Sequence, residues 1–492
     1  MPTNPNIPAF RLCGNIYFVG EYRASSHLID TGEGLILIDT GYEETADIIM
    51  SNIKELGFDI KDVKIILFSH GHGDHTLGTR KLLEHCAAET YIAKEDVKYI
   101  GVKSFKIFED LVFVPNHYFY DGEIIKLGNT EIVCKHTPGH TEGTYSFFWN
   151  VEEDGQVYRA GTFGGAGVNQ MKTKYLRDRD LYFFQRGMFY ESLDILSNEK
   201  VDVFVGNHCW NNDTYGRYLK SLESDTNPFV DSKAFSMFIK GKYPEMDDMI
   251  KSDTKDSFVN FAHRGASEYA PENTLMAFYL GMYMGANGIE TDIQKTKDGV
   301  LVLFHDDTLE RVTGENGRIL DYTFEELRKF DVKKNELTDK IVSFEDFLSH
   351  FAHRDITFAL ELKETGLERE VSKLIYKYGI ERKCVVTSFK YEALTAMKEC
   401  SPNLKLGYLT VNVTDEILSR MKNDGIDEIC PKASDVTAED VWKWQKSGFN
   451  VRAWGVSDEA LMKKMYDFGV GGMTCNFPDK LQNYIHERKN EE

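Results

Sequence analysis

An almost unbroken apolar run, Val63-Lys-Ile-Ile-Leu-Phe68, empties directly into Ser69-His70-Gly71-His72-Gly73-Asp74-His75. A run of this length reads as a buried strand, so three imidazoles and a carboxylate are delivered together to a loop at a strand end. Gly71 and Gly73 are expected to let the backbone curl so that alternate side chains converge. Imidazoles with a carboxylate are the donor set that suits Zn²⁺. The fold must therefore contain a sheet whose strand ends gather metal ligands.

The chain has 492 residues, more than one hydrophobic core accommodates, so two domains are expected. The 58 Lys and Arg against 79 Asp and Glu leave a net charge of −21, a field that repels polyanions and argues against nucleic acid as a partner. Eight cysteines without a C-x-x-C pair suit isolated buried thiols in a reducing compartment rather than a disulfide framework. The opening Met1-Pro-Thr-Asn-Pro-Asn-Ile-Pro8 has neither a basic nor an apolar export region, and no apolar run reaches membrane-spanning length. The expectation is a soluble cytoplasmic protein.

Up to about Met246, strand-like runs (Asn15–Val19, Leu35–Asp39, Val63–Phe68, Glu131–Cys134, Tyr145–Trp149, Val201–Val205) are broken by Gly and His-rich turns. Beyond Phe258, strands alternate with helices, the pattern of a parallel α/β barrel or open sheet. The polar stretch Lys251-Ser-Asp-Thr-Lys-Asp-Ser257 between them reads as a linker. The expected organisation is a domain over 1–250, a linker over 251–257 and a second domain over 258–492.

H-x-H-x-D-H, preceded by Leu35-Ile-Leu-Ile-Asp39-Thr-Gly41, resembles the metallo-β-lactamase fold, a four-layer αββα sandwich. The resemblance implies a third ligand to the first metal at His140, in Thr137-Pro-Gly-His140-Thr-Glu-Gly143, and a last ligand at His208, after Val203-Phe-Val-Gly-Asn207. It thus implies two Zn²⁺, one on His70, His72 and His140, the other on Asp74, His75 and His208. Zinc lowers the pKa of water it binds, which supplies a nucleophile near neutral pH. Many relatives, the glyoxalase II type among them, carry a metal-bridging Asp where this chain has Thr162. The Asp-His-His second site without that residue resembles the subclass B3 β-lactamases. What the resemblance implies is hydrolysis of an ester, thioester, lactone, lactam or phosphoester, with the missing Asp leaving single-zinc occupancy open. His136 reads as a strand-end neighbour, His27, His85 and His117 as structural, and Trp210 and Tyr215 as either pocket lining or packing.

In the second half, Phe258-Val-Asn-Phe-Ala-His263-Arg264-Gly265 is a strand ending in a cationic turn, and Pro271-Glu272-Asn-Thr274 reads as a helix start with Pro at an early position. In Gly288-Ile-Glu290-Thr-Asp292-Ile-Gln294, two-residue alternation puts both carboxylates on one strand face. Buried together they need a cation, and oxygen donors suit Mg²⁺ or Ca²⁺. Lys297-Asp-Gly299 is a turn too short for a helical crossover, so Val300–Phe304 should fold back as a hairpin and carry His305 to the Glu290 end. Ile356-Thr-Phe-Ala-Leu-Glu361-Leu-Lys363 supplies a third carboxylate. Nine candidate strands compete for eight barrel positions, with the hairpin strand the surplus. Ser343 is expected to cap a helix, and His350, His353 and His486 to be structural or exposed.

These motifs in this order, with Val451-Arg-Ala-Trp454 and Gly472-Met-Thr-Cys-Asn476 closing the chain, resemble the glycerophosphodiester phosphodiesterase family, a (β/α)₈ TIM barrel related to phosphatidylinositol phospholipase C. The resemblance implies one Mg²⁺ or Ca²⁺ held by Glu290, Asp292 and Glu361, with His263 and His305 as acid and base. Arg264 and Lys363 would neutralise the phosphodiester, and Glu272 and Trp454 are candidate substrate contacts. The implied partner is a small glycerophosphodiester, cut to sn-glycerol 3-phosphate and an alcohol. Two alternatives stand beside a bifunctional hydrolase: an N-terminal half that only binds zinc or a ligand or mediates assembly, and two sites acting in sequence on one lipid-derived substrate.

Overall fold

The computed structural model describes residues 7–103 and 106–491; residues 1–6, part of the stretch read for an export signal, lie outside it. The chain divides into two compact units, Met1–Met171 with Gln185–Met249, and Lys172–Phe184 with Ile250–Glu492.

The first unit has a seven-stranded and a five-stranded sheet. Its central strands, Leu35–Ile38 and Val63–Leu67, pair in parallel and are apolar on both faces because both are covered. Ile36, Ile38, Ile65 and Leu67 point into a core shared with Phe147 and Trp149 of the five-stranded sheet. Leu35, Leu37, Val63, Ile66 and Phe68 point the other way, against Ile49 and Ile53 of helix Thr45–Glu55. Alternation thus splits one apolar run between two layers. On the far side of the second sheet Phe148 and Phe204 meet Phe235 of helix Ala234–Asp256 edge-on, completing the αββα sandwich.

The second unit is a closed barrel of eight parallel strands: Val259–His263, Gly288–Lys295, Thr357–Leu362, Cys384–Ser388, Lys405–Thr410, Glu428–Pro431, Asn450–Val456 and Gly472–Cys475. Closure comes from the first strand pairing with both the last and the second. Leu301–Leu303 returns antiparallel along Gly288–Lys295 after a turn in which Gly299 has φ 85°, so it is the ninth strand and stays outside the closed ring. Ser343 caps helix Phe344–Phe351 by accepting from Asp346 N.

Three local expectations are corrected. Residues 251–256 continue helix Ala234–Asp256, because the buried Asp253 carboxylate accepts from Thr173 N (2.9 Å) and its hydroxyl (2.7 Å); the polar run is helical. Lys172–Phe184 groups with the barrel instead of the sandwich: Asp427 accepts from Phe183 N (3.1 Å) and Lys405 Nζ donates to Leu181 O (2.6 Å). Pro271 precedes its helix, which begins at Leu275 with Thr274 as the cap.

No helix among the described residues is long and apolar enough to cross a membrane, and all eight cysteines are unpaired.

Candidate metal centres

In the first unit the donor atoms of His70, His72 and His140 converge, as do those of His70, Asp74 and His75. His140 Nε2 lies 3.1 Å from His70 Nε2 and 3.0 Å from His72 Nδ1. Burial pulls His70 well below its usual range, and His140 and His208 down to about 4, so these rings are neutral and offer lone pairs. Their far nitrogens are tied back: His140 Nδ1 donates to Gly167 O (2.8 Å), His75 Nδ1 to Asp39 (2.8 Å) and His208 Nδ1 to Arg23 O. That leaves each Nε2 facing the cluster, the orientation such backing bonds impose on metal-ligating imidazoles. His75 Nε2 is buried without a hydrogen-bond partner, 3.5 Å from Asp74 Oδ2, and His208 Nε2 is 3.9 Å from the same oxygen. Against burial, Asp74 and Asp39 hold His75 above its ordinary range, and imidazole nitrogens crowded this closely around a carboxylate fit a nitrogen-seeking cation such as Zn²⁺.

Two carboxylates that sequence reading left without a role hold this arrangement. Asp39, fully buried with φ 59°, accepts from Ser69 N (2.8 Å), Ser69 Oγ (2.7 Å) and His75. Its signal was present, an Asp directly after an apolar strand. Asp96 accepts from Gly71 N (2.7 Å), Thr141 Oγ1 (2.7 Å) and Gly143 N (2.9 Å), clamping the His70 loop to the His140 turn. It sits in the short turn Lys94–Tyr99, where no motif marks it. Gly71 and Gly73 also act differently from expectation. Neither has positive φ; at Gly71 a Cβ would stand 2.6 Å from Asp96 O, so this residue provides close approach.

The other histidines lie apart. His136 bonds Glu142 O (2.8 Å), His27 packs edge-on to Phe18, His117 pairs with Glu89 and His85 is exposed. Trp210, 56% exposed, stacks parallel on His208 at 4.5 Å, whereas Tyr215 packs against the core. Thr162 ends its strand, buried opposite Phe147.

In the barrel, Glu290, Asp292 and Glu361 are buried and their oxygens converge. Strand register does this: Asp292 lies beside Glu361, and Glu290 beside His263. Burial and mutual repulsion push Glu290 well above the usual carboxylate range and Glu361 up to about 7, whereas Asp292 is held low despite burial by Arg264 and Lys363. Asp292 Oδ1 is buried without a hydrogen bond. Three buried carboxylates against two cations fit an oxygen-seeking divalent ion.

Arg264 has φ 54°, unusual for a long side chain, and is fixed from all sides. Its N donates to Glu290 O (3.0 Å), Nη1 to Glu272 (2.9 Å), and Nε faces Asp292 Oδ2 at 3.2 Å. Lys363 Nζ donates to Glu361 (2.8 Å). His263 Nδ1 bonds Asn476 Oδ1 (2.6 Å) and His305 Nδ1 bonds Asp306 (2.7 Å); both acceptors are oxygens, so each Nε2 is left free. Asn476, carried in the closing motif without a role, thereby orients His263. His263, Arg264, His305, Glu361, Phe389 and Trp454 line one pocket of about 90 Å³. Glu272 stands behind it: its carboxylate accepts from Arg264 and takes two bonds from Arg311, so it anchors the arginine. His350 bonds Tyr279, His486 bonds Gln482, and His353 is exposed.

Residues 263–480 match the Glycerophosphoryl diester phosphodiesterase family and residues 19–208 the Metallo-beta-lactamase superfamily. A glycerophosphodiester phosphodiesterase of Caldanaerobacter subterraneus is 32% identical over 236 residues, covering 46% of this chain and 97% of that protein. One from Bacillus altitudinis is 32% identical over 241 residues, covering 46% and 98%. Among solved structures, native FEZ-1 metallo-beta-lactamase from Legionella gormanii is 30% identical with a TM-score of 0.48, covering 51% of this chain and 99% of that one. This chain is a hydrolase that belongs, through its barrel, to the glycerophosphoryl diester phosphodiesterase family, joined to a domain of the metallo-β-lactamase superfamily.

Proposed function

We propose that the barrel hydrolyses glycerophosphodiesters to sn-glycerol 3-phosphate and an alcohol. The observation that carries this is the convergence of three buried carboxylates, two imidazoles and a guanidinium at one mouth of the barrel. Glu290, Asp292 and Glu361 would hold one Mg²⁺ or Ca²⁺, which when bound polarises a phosphoryl oxygen. Arg264 presents a planar fork to the phosphodiester and Lys363 a second positive charge, together offsetting charge that develops on the phosphoryl oxygens. Burial, with Arg264 next to it, pulls His263 down to about 4, so it enters as neutral imidazole with Nε2 ready to accept a proton. His305, oriented by Asp306, is its partner for the leaving alkoxide. Trp454 walls the pocket, with Phe389 edge-on at 4.9 Å.

For the first unit we infer a two-zinc hydrolytic centre, His70, His72 and His140 on one side and Asp74, His75 and His208 on the other. Bound zinc would activate water near neutral pH; the chain's own part is to hold the rings by Asp39, Gly167 O and Arg23 O, and to leave Trp210 beside His208 as an apolar wall. Its substrate class is an ester, thioester, lactone, lactam or phosphoester. Thr162, where many relatives carry a bridging acid, favours a second reading in which this half binds without turnover. Zinc content separates the two: about two per chain supports the hydrolytic centre, none the binding role. Unpaired thiols throughout support a reducing, cytoplasmic setting.

The test follows glycerophosphocholine and glycerophosphoethanolamine by phosphorus NMR with wild type, His263→Ala and His140→Ala proteins. Loss of glycerol phosphate release in His263→Ala alone supports an independent barrel enzyme. Loss in both, or an intermediate accumulating in one, would mean that both sites work on one substrate.

A further inference from the structure

The barrel unit holds a second cavity, of about 50 Å³. It lies at the opposite mouth, among the first residues of the strands: Val259, Thr357, Cys384, Lys405, Glu428 and Gly472. One ordered water needs about 10–15 Å³ on this measure, so the space takes a few waters or one tetrahedral oxyanion. Segment Lys172–Phe184, which belongs to this unit, contributes Arg177 and Phe183 to its wall.

The charges around this cavity do not cancel. Arg177, Arg382, Lys383, Lys405 and Arg452 line it, against Asp427 and Glu428. Arg452 Nε donates to Glu428 (2.8 Å), Lys405 Nζ stands 3.6 Å from Asp427, and Arg382 donates to Asp180 (2.9 Å). Three cations are thereby matched with three acids. Lys383 Nζ donates to two neutral acceptors, Ala352 O and Arg354 O, which leaves its charge uncompensated. Among the described residues the Arg177 guanidinium makes neither a hydrogen bond nor an ion pair. Burial pushes Arg177 down in spite of the attraction of Glu428, Asp427 and Asp253, none of which its guanidinium hydrogen-bonds. In a chain of net charge −21, a partner for it would be easily supplied. Holding it unpaired against a cavity is costly unless an anion enters.

We propose that this cavity binds a doubly charged tetrahedral oxyanion, inorganic phosphate or the phosphoryl end of a phosphomonoester, gripped by the Arg177 fork with Lys383 beside it. Two uncompensated cations match the dianion, and a guanidinium with all its donors free suits two of its oxygens at once. Arg177 and Lys383 lie outside the pocket at the carboxylate mouth, and Arg452 is the residue that lines both.

Calorimetric titration of the full-length protein with orthophosphate tests it, using wild type, Arg177→Gln and Arg264→Gln. The expected result is a binding event that survives Arg264→Gln and weakens at least about tenfold in Arg177→Gln. Unchanged affinity in Arg177→Gln, binding lost only with Arg264→Gln, or no binding up to millimolar phosphate would overturn the proposal. If Arg177→Gln fails to fold, Arg177→Lys keeps the charge and removes the fork; it should still weaken phosphate severalfold, and wild-type affinity there counts against the site. Titration with sn-glycerol 3-phosphate separates the sources. Tighter binding than orthophosphate at the Arg177-dependent site assigns it to a phosphomonoester, and weaker binding to the free ion.

Discussion

The two clusters keep their negative charge in different places. In the sandwich the donors that face the centre are mainly neutral imidazoles, and the buried acids Asp39 and Asp96 stand behind them, bonding Ser69, His75, Gly71, Thr141 and Gly143. In the barrel the acids face the centre themselves, and the supporting groups are cations, Arg264 and Lys363. The first arrangement is assembled from loops, so its geometry depends on what clamps those loops. The second is written into strand register, Asp292 opposite Glu361 and Glu290 beside His263, and depends on charge balance. Fragility should therefore sit in the backing residues of the first cluster and in the facing residues of the second.

The largest effect should come from removing a facing carboxylate. Glu290→Gln is expected to lower kcat/KM for glycerophosphocholine by about 10³-fold or more, with the fold retained because a repelling buried charge is relieved. Near-normal turnover would sink the barrel assignment. His263→Ala should lose about 10²–10⁴-fold.

Metal exchange sharpens the contrast next. After strong chelation, Mg²⁺ or Ca²⁺ alone should restore phosphodiester cleavage through the oxygen donors, while zinc should return to the nitrogen cluster without restoring it. A strict zinc requirement for that cleavage would move the chemistry to the first unit.

The backing acids come third. Asp39→Asn should cost about 10–100-fold in zinc affinity, since the neutral amide supports His75 and Ser69 less well, and it should leave barrel turnover within about twofold. His140→Ala should lose more zinc than His136→Ala by mass spectrometric metal content; the reverse order would show that the wrong histidine had been placed in the cluster.

What could be read from sequence follows the same division. Strand alternation is a local property, so Glu290, Asp292 and Glu361 were legible as one inward set, and the Lys297-Asp-Gly299 turn identified the surplus ninth strand. The ligand loops were legible because strand ends and His-rich turns are contiguous. The two-residue edge strand His117–Tyr118 was not, since it is defined by pairing with Tyr91 and Ile92, remote in sequence. Asp96 was invisible for the same reason: it bonds residues 25 to 47 positions away. Asn476 and Glu272 were seen as motif members, but their jobs, orienting His263 and anchoring Arg264, exist only once positions 213 and 8 apart meet. The Lys251–Ser257 stretch misled because helix polarity on an exposed face looks like linker polarity.

The smallest expected effect concerns the aromatic walls, Trp454 in the barrel and Trp210 beside His208. Trp454 touches no carboxylate ligand; its indole nitrogen donates to Thr410 O at 3.3 Å and Phe389 meets its face edge-on. A wall of this kind binds ground state and transition state alike, so Trp454→Ala should raise KM for glycerophosphocholine by about tenfold with kcat changed less than about threefold. Trp454→Phe keeps an aromatic face and loses only the tether, so about half of the lost binding free energy should return. Trp210→Ala should leave these constants untouched, because its ring is stacked on the imidazole of the other cluster. A fall in kcat with KM unchanged would place Trp454 in the transition state, and the barrel's chemistry would then reach beyond its carboxylates and histidines to the walls.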